Sequence, residues 1–154
     1  MNNLSETLKQ QARSLGLCDE WFGEWAENSS QQELIDKYVK GIDFAIKHQY
    51  PSNDFIKENF DHELLNKNLI FVDEFINEEN APSGIYIING ECSGSIRVSP
   101  WAVATIYVRH TSSINIVASD FAKVFVRLYD NAEVETSTSD GAVVKVCDRR
   151  SKFR

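Results

Sequence analysis

The chain has 154 residues, 42% of them apolar and 25% charged, and a formal charge of −7 from 16 basic and 23 acidic side chains. This composition excludes a disordered chain and leaves room for one compact domain, or one domain with a helical appendage. The net acidity argues against a general nucleic-acid binder.

Three cysteines, at 18, 92 and 147, cannot all pair and form no CxxC, so a reducing, cytoplasmic setting is expected. Met1 to Glu6 lacks the basic start and apolar core of a signal peptide, and no apolar run approaches the roughly 18 residues of a membrane span. No membrane partner is expected.

The composition divides sharply along the chain. Eight of nine leucines lie in residues 1–80, whereas ten of twelve valines lie in 81–154. The first part carries 7 basic against 16 acidic residues and the second 9 against 7, so the charges are −9 and +2. Two unlike parts follow: a helical cap region over 1–80 and a β-structure over 81–149, with a basic tail at 150–154.

In chain order, Leu4, Leu8, Ala12 and Leu15 recur at helical spacing, and Gly16 offers a stop. Trp21 and Trp25, four apart, fall on one side of a helical turn and read as core anchors of a small helical unit. Ser30 to Glu33 spells a capping box. Behind it Leu34, Ile35, Tyr38, Val39, Ile42, Ala45 and Ile46 make one apolar stripe, weakened at Gly41. Tyr50-Pro51 ends that helix, and Ser52 can cap a shorter one carrying Phe55, Ile56 and Phe60. A further turn around Leu64 and Leu65 leads into a strand at Leu69 to Val72. Asn77 to Gly84, with Pro82, reads as a hinge.

Beyond the hinge a ten-residue frame repeats. Asp120-Phe121-Ala122-Lys123-Val124-Phe125-Val126, Asp130-Asn131-Ala132-Glu133-Val134-Glu135-Thr136 and Asp140-Gly141-Ala142-Val143-Val144-Lys145-Val146 share a turn residue, a small residue and alternating apolar positions. Weaker copies begin at Gly90, Pro100 and His110. The small column runs Cys92, Ala102, Ser112, Ala122, Ala132, Ala142, and an apolar column runs Ile96, Ile106, Ile116, Val126, Thr136, Val146.

Alternation of period two means strands with one buried face. Residues twenty apart match better than residues ten apart: Ser99, Ser119 and Ser139 are identical, and Trp101 and Phe121 share one register. A meander of hairpins gives no reason for that, whereas a solenoid stacks like over like. The fold expected is α+β, an N-terminal helical cap followed by a short β-solenoid. It resembles a single-stranded β-helix of about three coils, with roughly 20 residues per coil rising about 4.8 Å each. The first coil needs cover against edge pairing, and charges such as Arg149 and Arg150 protect the other end.

Alternation also assigns the outward face of one sheet. Val103, Thr105, Tyr107 and Arg109 lie beside Lys123, Phe125, Arg127 and Tyr129, and these beside Val143, Lys145, Cys147 and Arg149. This grid holds five cations, three aromatics and no acid. Tyr107 over Arg127 and Arg109 over Tyr129 suit cation–π contact. Tyr107, Arg109, Phe125, Arg127 and Tyr129 are therefore the candidate ligand-binding residues. They form either the face on which the acidic helical part docks, or a platform for a carbohydrate, an acidic ligand or an acidic protein surface.

No catalytic constellation appears. GxSxG, Walker, GxGxxG and HExxH motifs are absent, and His48, His62 and His110 lack partners at metal-ligand spacing. Asp120, Asp130 and Asp140 read as turn formers rather than calcium ligands. Glu133 and Glu135 read as a solvated pair, and Cys92 as core packing. No cofactor or metal is expected.

The repeat Asp-x-Ala-x-Val-x-Val resembles the rungs of bactofilin-like proteins, filament-forming bacterial scaffolds, over residues 85–149. Bactofilin solenoids are longer and have no helical half. Leu17 to Trp21, Tyr38 to Phe44, Tyr50-Pro51-Ser52 and Ile106 to His110 resemble stretches of an uncharacterised bacterial family of Bacteroidetes type. The resemblance implies a fold and no sites. Together these readings point to a non-enzymatic structural or protein-interaction module that binds a protein partner or self-associates. Ligand binding on the basic-aromatic face is the alternative, and a lyase- or hydrolase-like enzyme acting in a solenoid groove a second one.

Overall fold

A computed structural model describes residues 4–16 and 30–149 and divides the chain into two units, Met1–Leu64 and Leu65–Arg154. Trp21, Trp25 and the basic tail lie outside the described residues.

Each helix of the first unit begins or ends on a local device. Helix α1 (Leu4–Ser14) buries Leu8 and Ala12 and gives way at Gly16, whose φ is +96°. Helix α2 (Gln31–Lys40) starts at Ser30, whose hydroxyl accepts the Glu33 amide at 3.2 Å while the Glu33 carboxylate accepts the Ser30 amide at 3.1 Å. The Ser30 backbone amide first, and then the Ser30 hydroxyl, hold the Glu33 carboxyl below its ordinary value. Gly41 separates α2 from helix α3 (Ile42–His48), so the single stripe is carried by two segments. Ser52 opens helix α4 (Asn53–Asn59) by accepting the Phe55 amide at 3.2 Å. Leu8, Ala12 and Leu34 make the centre of this unit, with Phe44, Tyr50, Phe55 and Phe60 against it. Within it the Tyr50 hydroxyl donates to the Leu8 carbonyl at 2.6 Å. Helix α5 (His62–Lys67) carries the boundary between the units.

The second unit is a parallel β-solenoid of about four turns, with about 20 residues per turn. Strands β1 (Ile70–Val72), β3 (Gly84–Asn89), β5 (Val103–Val108), β7 (Lys123–Leu128) and β9 (Val143–Asp148) form one sheet in that order. Strands β2 (Phe75–Ala81), β4 (Ser93–Val98), β6 (Ser113–Ala118) and β8 (Glu133–Thr138) form the other. From Gly84 onward every pair is in twenty-residue register, as in Tyr86↔Ile106 and Ile96↔Ile116. The small column is buried from Cys92 to Ala132, and Ile96, Ile106, Ile116 and Val126 are wholly buried between the sheets.

The first coil is where the sequence reading and the structure part. Asn77 to Ala81 is not a hinge but the body of β2, paired with β4 through Asn77↔Ser95 and Ala81↔Val98 with a register shift between Glu78 and Ala81. The solenoid therefore begins at Ile70, inside the part assigned to helices, and gains a fourth turn. Its offset is shorter than twenty, seventeen residues at Ile70↔Ile87, which hides it from a twenty-residue comparison. Gly94 admits this tighter coil. Its φ is +126°, and a Cβ there would overlap the Ile76 carbonyl.

The corners between strands use left-handed residues. Asp120, Asp130 and Asp140 have φ between +49° and +57°, as turn-forming aspartates should. His110 sits in the same column as Asp130, with φ +58°.

Candidate functional site

The five candidate residues stand on one sheet and its adjoining corner. Tyr107 is directly paired with Arg127 along β5 and β7, and the Arg127 guanidinium carbon lies 5.5 Å from the Tyr107 ring centroid. The first of the two cation–π pairs expected from the stacking is present. A second contact was not read from sequence: Tyr107 and Tyr129, one coil and two positions apart, stack at 6.3 Å with planes 10° apart.

The grid is not evenly open. Tyr107, Arg109 and Tyr129 are buried, at 7%, 3% and 4% exposure, while Phe125 is 44% exposed and Arg127 half-buried. Alternation places a side chain on the outward side of a sheet but does not say what lies over it. The structure thus splits the face: in β5 and β7 the strand ends nearest Arg109 are the more buried and the beginnings are open, while Cys147 near the end of β9 is exposed. Val103, Phe125 and Val143 are exposed there, with Lys123 and Lys145 between them.

Arg109 sits in a polar corner whose bonds cross from coil to coil. Its Nη1 donates to Asn89 Oδ1 at 2.7 Å. The Gly90 amide donates to His110 Nδ1 at 2.9 Å, and the His110 amide donates to Asp130 Oδ2 at 3.1 Å. The imidazole therefore serves as an acceptor, which fixes the tautomer with its proton on Nε2. Burial foremost, then the Arg109 charge, pull the His110 pKa below its ordinary value against the opposite pull of Asp130 and Asp73. Ser112 Oγ donates to the Gly90 carbonyl and accepts the Cys92 amide. Cys92 is 2% exposed, its Sγ donates to the Asn89 carbonyl at 3.2 Å, and burial pushes its thiol up. It is packed as a core residue and held protonated. Among the described residues no group of three or more His, Cys, Asp or Glu side chains could hold a metal ion.

The opposite corner carries a feature that the sequence pattern did not flag as a surface. Trp101 and Phe121 stack at 4.7 Å, yet remain 70% and 53% exposed. Both have φ of +63°, a conformation bulky residues rarely adopt. Gly141 completes the column one coil on, and a Cβ there would come within 2.6 Å of the Phe121 ring. The ring of Phe121 thus lies across Gly141. The only signal in the sequence is glycine at 141, twenty residues after Phe121.

No family model, curated protein or solved structure matches the chain. Nothing among these comparisons supports the bactofilin-like or bacterial assignment. None of the described helices is long and apolar enough to cross a membrane.

Proposed function

We propose that this protein is a structural or interaction module, in which a stacked β-solenoid presents an apolar and cationic strip to an acidic protein partner. The observation that carries this reading is the open half of the five-stranded sheet. Val103, Phe125 and Val143 are 50%, 44% and 55% exposed, and the residues interleaved with them on that face are Lys123, Lys145 and Thr105. Exposed apolar groups that cluster rather than scatter mark interaction surfaces, and cations without acids favour a partner of opposite sign. Trp101 and Phe121 extend the strip around the corner with the residue types that dominate binding hot spots.

A second reading rests on Phe125 beside Arg127. An exposed ring next to a guanidinium suits an acidic carbohydrate, with the ring for the sugar face and the cation for its carboxylate. Of the five residues first assigned to such a ligand, these two are the more accessible.

One titration separates the readings. Amide shifts of the isotope-labelled chain are followed against poly-glutamate and, separately, against an oligogalacturonate. Shifts at Lys123, Phe125 and Lys145 with the polypeptide alone, lost in Phe125→Ala, are the expected result. Shifts with the sugar acid alone transfer the site to the second reading. Silence of those amides with both probes removes the cationic strip as a binding face.

A further inference from the structure

The two ends of the solenoid are not alike. In the first coil the inward side chains Phe71 and Ile76 are 2% and 1% exposed, and all three residues of β1 are buried. In the last coil two inward columns are open. Ile106 and Val126 are wholly buried, whereas Val146, one coil on, is 41% exposed. Ile116 is wholly buried, whereas Thr136 beneath it is exposed. Among the described residues, strands β8 and β9 also close their sheets: each pairs on one side only, with β6 and β7 respectively. Between their free edges lie Val134 and Val144, partly buried against the core.

A row of unpaired amides and carbonyls beside open valines is a template for another strand. Whatever stacks there must offer a coil cross-section of the same width, with two strand edges and an apolar strip between them. The last coil of a second copy has that form.

The charges choose how two such ends meet. Outward on β8 stand Glu133 and Glu135, and outward on β9 stands Lys145, all exposed. Laying β8 on β8 in the register centred on Glu135 would set glutamate over glutamate, and like charges across a strand pair are destabilising. A two-fold axis along the strand direction instead lays β8 of one copy antiparallel on β9 of the other. In a register that keeps Val134 and Thr136 inward with Val144 and Val146, Glu135 lies beside Lys145 of the second copy. The contact occurs twice and pairs the outer edges of β8 and β9 in both chains.

We infer that the chain forms a closed, head-to-head dimer through its last coil, with β8 of each copy paired antiparallel to β9 of the other. Because the first coil is buried on its inward side, the arrangement closes at two copies and does not grow into a filament. This rests on the general reading of the protein as an interaction module, and it shares Lys145 of β9 with the cationic strip, whereas Glu135 stands on the other sheet.

The test is sedimentation equilibrium of the full chain over a concentration series. Wild type is expected to move from monomer to dimer. Lys145→Glu and Glu135→Lys should each raise the dimer dissociation constant about tenfold, and combining them should return it towards wild type, since the swap restores opposite charges. Thermal melting at a dilution where all are monomeric checks that the exposed substitutions leave the fold intact. Wild type that stays monomeric at its highest soluble concentration overturns the inference. So does a dimer indifferent to all three variants, or mass that keeps growing past two copies. If wild type is monomeric and removal of residues 150–154 creates a dimer, the chain's own tail is the occupant and the inference fails. Phe125→Ala in the titration and Glu135→Lys in the sedimentation series alter residues on different sheets, so either result can stand without the other.

Discussion

In the first unit, the Glu33 amide finds its acceptor three residues back, on Ser30. In the solenoid the Cys92 amide finds its acceptor on Ser112, twenty residues on. The difference recurs throughout. Helix ends at Ser30, Gln49 and Ser52 are settled by neighbours in sequence, whereas a corner such as Gly90–His110–Asp130 is settled by neighbours in space. A helical unit built this way confines damage to the turn that is altered. A stacked coil passes it to the coils on either side, because each strand supplies half of two ladders.

The largest expected effect comes from forcing a side chain into the tight first coil. Gly94→Val should cost more than about 4 kcal/mol or abolish folding, because the Ile76 backbone cannot yield to it. Urea denaturation followed by circular dichroism measures this, and wild-type stability would mean that β2 and β4 are not in the register described.

Position along the stack sets the next effect. Ile106→Ala should cost about 2–5 kcal/mol, as for a filled core site. Val146→Ala, in the same column but 41% exposed, should cost less than about 1 kcal/mol at monomeric dilution. Equal losses would show that the last coil is as well covered as the middle ones.

Against these, Ser30→Ala should remove about 1 kcal/mol from the capping box. Hydrogen exchange should quicken at the start of α2 and leave the solenoid amides unchanged. Acceleration that spreads into β5 or β7 would contradict the local character of the first unit.

The smallest effect is a pH dependence. The folded-state pKa of His110 lies below its unfolded value of about 6.5, so the folded chain takes up a proton less readily than the unfolded one. Stability from this corner is therefore complete above about pH 6.5 and falls as pH is lowered through the folded-state value. His110→Asn keeps a left-handed-tolerant acceptor that cannot titrate. Melting temperatures of wild type and this variant should converge towards acid and separate above neutrality. A constant difference across that range would show that the imidazole does not titrate on folding.

How much of this was legible depended on the same contrast in range. The capping box, the Ser52 start and the left-handed aspartates are written in two to four adjacent residues. The solenoid was legible through its matched columns, because Ile96, Ile106, Ile116 and Val126 repeat where the register is uniform. The first coil was not, since its offset is seventeen or eighteen residues and Gly94 occupies a place where later coils carry Ile114 and Val134. The candidate site was legible in placement and not in burial. Alternation put Tyr107, Arg127 and Tyr129 on one side of a sheet, but burial depends on groups that no column of the repeat describes. The Trp101–Phe121 corner escaped because neither residue type announces a positive φ, and only Gly141 gives it away.

A last consequence follows from the uniform offset between Gly84 and Asp148. Adding or removing a block of twenty residues in this stretch leaves every inward side chain inward, whereas one residue inserted within a strand turns the rest of that strand to the wrong face. The length of the solenoid is in that sense quantised. Duplication of a single coil is a route by which such a chain can be lengthened without redesign, and the matching of Ser99, Ser119 and Ser139 is the kind of trace that process leaves.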